Sequence, residues 1–150
     1  MKILIVEDSK DKRDNIIRAV EKHNINVSID ICESVRGAIE AIDSDKSFDL
    51  ILLDMSLPLF DITDDVPDGG DSESFGGHEI IQQMSFLKIL SPVVVITHYR
   101  TFHGGITYEA LNGDLNKSFP DIVLGMIYYD HPSNEWVNEL NKYLNDIGKQ

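Results

Sequence analysis

The sequence predicts an α/β protein organised on a doubly wound parallel sheet. Three observations carry this. Near-continuous apolar runs, rich in Ile, Leu and Val, stand at residues 2–6, 48–53 and 92–97, as expected of strands buried on both faces. The segments between them repeat apolar residues at helical spacing. Two of the runs stop abruptly in acids, at Glu7-Asp8 and at Asp54, on the carboxyl edge where open α/β sheets bind ligands.

Composition bounds the class. The 150 residues fit one domain, and 42% hydrophobic content supplies a core. No apolar run is long enough to span a membrane, and the start is too briefly apolar for a signal peptide, so a cytoplasmic protein without membrane insertion is expected. The single cysteine, Cys32, forms no internal disulfide and reads as an apolar filler. The net charge of −13 repels phosphate backbones and disfavours direct nucleic-acid binding. It suits a cation or a basic protein partner, or solubility alone.

The elements follow in order. The first strand covers about 2–6. Ser9 can cap a helix running to about His23, with Ile16, Ile17 and Val20 as its stripe. The second strand covers about 26–32. Ser34 can cap the second helix, whose stripe is Val35, Ala38, Ile39 and Ile42. The third strand, 48–53, delivers Asp54. Residues 60–77 are rich in Asp, Gly and Ser and read as a long, flexible, acidic loop. The third helix is expected over 78–87, the fourth strand over 92–97, and an irregular loop over 98–105. The fourth helix is expected over 108–117 and the fifth strand over 122–128. The last helix follows a Ser133 or Asn134 cap and runs to about Ile147. Five strands alternating with five helices make one domain with all strand exits on one edge.

The edge suggests chemistry. If the first and third strands are neighbours, Glu7, Asp8 and Asp54 converge, and three close carboxylates call for a compensating cation. Oxygen-only ligands suit Mg²⁺ or a similar hard ion such as Mn²⁺, and carboxylates with a divalent ion commonly handle phosphate. Thr97 offers a hydroxyl to the same edge. Each residue also has a plainer reading. Asp54 could cap a turn, Glu7 and Asp8 could serve a helix N-terminus, and Tyr128 could be core. The Asp spacing in the acidic loop does not fit a twelve-residue Ca²⁺ loop. Nothing fixes His78, His98 and His103 as a zinc site.

These residues resemble the receiver domain of two-component response regulators. Glu7-Asp8 matches that family's metal-binding acids. Asp54, in Asp49-Leu-Ile-Leu-Leu-Asp54-Met-Ser-Leu-Pro58, matches its phosphoacceptor and following proline. Ser56 matches the position whose backbone carbonyl completes the metal shell. Thr97 matches the switch hydroxyl and Tyr128 the switch aromatic. The resemblance covers essentially the whole chain. It implies a flavodoxin-like sheet of order 2-1-3-4-5 with helices on both faces. There are two departures. The family's Lys-Pro after the fifth strand is His131-Pro132 here, and nothing else in that turn supplies an ammonium. The 60–77 segment stands where the family has a short turn.

The resemblance implies a phosphoprotein that relays signals rather than an enzyme. Mg²⁺ on Glu7, Asp8, Asp54 and Ser56 would assist transfer from a histidine kinase or phosphotransfer protein to Asp54. Thr97 and Tyr128 would then reshape the face around helix four, strand five and helix five, with His131 at the lysine position. Output would pass to a downstream protein target, and the same face is one through which receivers form homodimers. An alternative is an atypical receiver that is not phosphorylated and binds a partner constitutively. A third class, an aspartyl-phosphate phosphohydrolase, needs a second acid two residues after the nucleophile, where Ser56 stands.

Overall fold

The computed structural model describes residues 1–45, 47–61, 72, 73 and 75–149. The main sheet has five parallel strands: β1 (Lys2–Val6), β2 (Ser28–Cys32), β3 (Leu50–Leu53), β4 (Val93–Thr97) and β5 (Val123–Tyr128). Their spatial order is 2-1-3-4-5. The helices are α1 (Lys10–His23), α2 (Val35–Ser44), α3 (Gly76–Phe86), α4 (Tyr108–Ser118) and α5 (Glu135–Gly148). The flavodoxin-like fold expected from the sequence is the fold observed.

The period-two alternation of the strands divides the core into two layers. Leu4, Val6, Ile51, Leu53, Val93 and Val95 face α2, α3 and α4 through Ala38, Ile80 and Leu115. Ile3, Ile5, Leu50, Leu52, Val94 and Ile96 face α1 and α5 through Ile16, Val20, Leu140 and Leu144. The three central strands, β1, β3 and β4, are therefore apolar at nearly every position. Edge strand β2 exposes Asp30 and Ile31, having a neighbour on one side only.

Caps follow the short polar side chains. Ser34 Oγ accepts from Gly37 N–H at 3.0 Å, and Thr107 Oγ1 accepts from Ala110 N–H at 3.1 Å. Ser9 occupies the N-cap of α1 without a side-chain cap bond; its own N–H is committed to Glu7. Among the described residues, no helix is long and apolar enough to cross a membrane.

Two local features differ from expectation. Leu57–Pro58 and Ser72–Glu73 form a short antiparallel pair, so part of the expected 60–77 loop is a strand of a two-stranded ribbon separate from the main sheet. Residues 62–71 and 74, where most of that loop falls, lie outside the described residues. Helix α3 also starts at Gly76 instead of His78. The two glycines permit this. A Cβ at Gly76 would lie 2.9 Å from Val35 Cγ2, and one at Gly77 would lie 2.5 Å from the Asp54 carbonyl oxygen. Only bare backbone lets the first turn of α3 press against the end of β3.

Candidate functional site

The site grows from strand register. Val6 of β1 pairs with Leu53 of β3, so the residues that follow, Glu7 and Asp54, emerge side by side. Asp54 N–H donates to the Val6 carbonyl at 3.0 Å, and Glu7 N–H donates to the Cys32 carbonyl at 3.0 Å. Both acids are thus fixed by backbone bonds to neighbouring strands. Among the described residues, Glu7, Asp8 and Asp54 form the one group of metal-capable side chains, each offering an oxygen within 4.8 Å of the others. Glu7 is 2% exposed and Asp54 is 3% exposed, while Asp8 is exposed and opens the cluster to solvent.

The electrostatics of the cluster are unfavourable when it stands alone. Burial, and then the charge of Asp54, push the Glu7 carboxyl up to about 8. The Asp8 carboxyl is raised by the same two causes in the same order. Local donors are few. Asp54 Oδ1 accepts from Met55 N–H at 2.7 Å, and Glu7 Oε1 accepts from Ser9 N–H at 3.1 Å. Glu7 Oε2 is buried without an aligned hydrogen bond. Three close carboxylates, one of them open to solvent, make an oxygen-only set that fits a hard divalent cation, so these residues can hold Mg²⁺ or Mn²⁺. Ser56 is half-buried two residues beyond Asp54.

One residue of the site was not anticipated. Lys12, on the first turn of α1, is 4% exposed and points into the cluster. Its Nζ lies 2.8 Å from Glu7 Oε2 and 3.4 Å from Asp54 Oδ1, and it donates to the Ile96 carbonyl at 2.7 Å. The same Nζ lies 5.7 Å from the centre of the Tyr129 ring. The signal was present in the sequence: Lys12 stands four residues before Ile16 and eight before Val20, on the buried stripe of the helix.

The remaining expected residues surround this centre without all meeting it. Thr97 ends β4, is fully buried, and its Oγ1 accepts from Tyr99 N–H at 3.2 Å. Tyr128 pairs with Thr97 in register and is half-buried. The Arg100 guanidinium lies 3.9 Å from its ring centre, and Tyr108 meets it edge-on at 6.1 Å. His131 is exposed. Its Nδ1 lies 3.3 Å from both Asn15 Nδ2 and Tyr129 Oη; among the described residues no contact joins it to Asp54. Of the imagined zinc histidines, His78 stacks edge-on with Phe119 and His98 lies against Tyr99, so those two are separately engaged.

No family model matches the chain. The chain is 28% identical, over 150 residues, to the Detocs response regulatory protein DtcB of Enterobacter cloacae (strain JD6301), covering 98% of this chain and 100% of that protein. Among solved structures it resembles the Mn²⁺-bound form of response regulator Rcp1, with a TM-score of 0.62 and 19% identity over 94% of this chain and 89% of that one. It likewise resembles response regulator protein TrrA from Thermotoga maritima in complex with Mg²⁺-BeF, with a TM-score of 0.65 and 16% identity over 97% of each chain. At these identities the structural likeness speaks for the fold, which is that of response-regulator receiver domains.

Proposed function

We propose that this chain is a phosphoacceptor receiver that carries a phosphoryl group on Asp54 and relays a signal by protein–protein contact. The observation that carries this reading is the convergence of Glu7, Asp8 and Asp54 at the carboxyl edge of the sheet, with oxygens within 4.8 Å. The donor is a phosphohistidine of a histidine kinase or phosphotransfer protein, or a small acyl phosphate. An Asp54 carboxylate oxygen attacks phosphorus and forms an O–P bond. With phosphohistidine the P–N bond breaks and its electron pair returns to the imidazole; with an acyl phosphate the P–O bond breaks and the electron pair leaves with the carboxylate. The product is an acyl phosphate, which water later attacks at phosphorus to regenerate the carboxylate and release phosphate.

The residues divide the work. Backbone bonds to β1 and β2 hold Asp54 and Glu7 beside the solvent-exposed Asp8. Glu7, Asp8, Asp54 and the Ser56 carbonyl would hold a divalent ion such as Mg²⁺ or Mn²⁺, which would supply neutralising charge to the phosphoryl oxygens. Burial of Thr97 and its register with Tyr128 link the site to the face formed by α4, β5 and α5, where a downstream target docks.

Intact mass spectrometry after incubation with Mg²⁺ and acetyl phosphate tests this. One phosphoryl adduct on the wild type and none on Asp54→Asn is the expected result. No adduct and no Mg²⁺ affinity would sink the reading. The exposed position of His131, turned toward Asn15 and Tyr129, favours a second reading, a constitutive binding module, which that negative result would promote.

A further inference from the structure

Resting on the phosphoacceptor reading, we propose that Lys12 is the ammonium that contacts the phosphoryl group on Asp54, delivered from α1 instead of from the turn after β5. The geometry is specific. Lys12 Nζ is anchored by donation to the Ile96 carbonyl at 2.7 Å, immediately before Thr97. It stands 2.8 Å from Glu7 Oε2 and 3.4 Å from Asp54 Oδ1, an oxygen of the carboxylate that receives the phosphoryl group. An ammonium carries three donors. The Ile96 carbonyl takes one, and the two acids lie beside the same Nζ as ion pairs.

A phosphoryl group on Asp54 adds anionic oxygens to a space that already has this cation at its edge. The Lys12 side chain is 4% exposed, so water screens the attraction weakly, and charge-assisted bonds of this kind are the strong ones. Lys12 Nζ acts by charge and donated hydrogen bonds alone while the O–P bond forms and the donor bond breaks. His131 is no substitute, since it is exposed and engaged with Asn15 and Tyr129.

The location on α1 redirects the response. Lys12 Nζ lies 5.7 Å from the centre of the Tyr129 ring, and that ring lies 4.9 Å from the ring of Trp136 on α5. A shift of Lys12 toward new charge on Asp54 is therefore felt by Trp136, the single tryptophan of the chain.

The test uses beryllofluoride with Mg²⁺ as the probe, read by Trp136 fluorescence and by the ¹⁵N–¹H correlation of the Lys12 ammonium. In the wild type that correlation shifts when beryllofluoride joins Mg²⁺. Lys12→Met lowers the affinity for beryllofluoride by roughly tenfold or more, the loss expected of a charged hydrogen bond. The same variant binds Mg²⁺ at least as tightly as the wild type, because a competing cation has left the acids. His131→Ala binds both as the wild type does. Unchanged beryllofluoride affinity in Lys12→Met overturns the proposal, and so does a loss that falls on His131→Ala instead. If Lys12→Met loses Mg²⁺ along with beryllofluoride, its site has collapsed. The wild-type ammonium correlation then decides, supporting the proposal by shifting and overturning it by staying still. A wild type that binds no beryllofluoride and takes no phosphoryl group fails the phosphoacceptor reading before any substitution is made.

Discussion

Replacing Gly77 by alanine tests how α3 is seated against Asp54. The added Cβ would lie 2.5 Å from the Asp54 carbonyl oxygen and 3.0 Å from Met55 Cα. Both are backbone atoms at the end of β3, so neither swings aside. Relief requires lifting the first turn of α3, which strains the bond from Gly77 N–H to the Met55 carbonyl, 2.9 Å long. Overpacking costs about 1–3 kcal/mol, and the weakened hydrogen bond adds about 1 kcal/mol. Alanine returns about 1 kcal/mol as the better helix former. The balance is a loss of about 1–3 kcal/mol. Gly113 is the control. It lies in α4 and is exposed, and among the described residues nothing lies within 4 Å of the Cβ position. Only the helix preference remains there, so Gly113→Ala gains about 0.5–1 kcal/mol. Urea denaturation followed by circular dichroism reads both at unchanged m. The same substitution should thus carry opposite signs in two helices. Gly77→Ala at or above wild-type stability refutes the close seating of α3 on the Asp54 backbone.

Further predictions concern charge, the edge strand and the thiol. The folded state holds the Glu7 and Asp8 carboxyls raised, so it binds protons that the unfolded chain releases. The Glu7 contribution to stability is therefore present in full below its ordinary value of 4.5 and is lost as pH rises through about 8. In a chelator, wild-type stability should decline over that window more steeply than that of Glu7→Gln, and Mg²⁺ should remove the difference; equal slopes without metal count against a strained acid cluster. At Gly125, beside the irregular register between β4 and β5, a Cβ would run into the Tyr143 hydroxyl. Gly125→Ala should cost about 1–3 kcal/mol and much less in a Tyr143→Ala background, as a double-mutant cycle would reveal. Burial, with the charges of Asp61, Asp30 and Glu33, pushes the Cys32 thiol up to about 11. Alkylation of the native protein near neutral pH should be far slower than that of the unfolded chain, and comparable rates would refute the filler role.

The architecture was legible because the central strands are swallowed on both faces. Ile3–Val6, Leu50–Leu53 and Val93–Thr97 leave no polar alternation to misread, and the strand exits then had to share an edge. The acids at Glu7 and Asp54 were legible for the same reason: a charge directly after a buried strand has few places to go. The ribbon between Leu57–Pro58 and Ser72–Glu73 was not legible, because two-residue pairings have no periodicity to announce them. The start of α3 at Gly76 was missed because glycine argues against helix, while here contact with the Asp54 backbone outweighs propensity.

Lys12 was hidden by a different property of the one-dimensional pattern. A helical stripe is recognised by its apolar members, so a lysine on the stripe reads as solvated even when its spacing from Ile16 and Val20 places it inside. What decides its burial is the partner set, two acids from β1 and β3 and a carbonyl from β4, and these come from three separate parts of the chain. A buried ammonium is sustained only where such partners converge. The resemblance points for a cation at Asp54 to the turn at His131, which leaves the sheet two strands away, beyond β4. The fold brings the cation from the opposite direction, off the helix that follows β1. In an α/β sheet, therefore, a missing charge at one exit is best sought on the inward stripe of every helix whose first turn borders the edge.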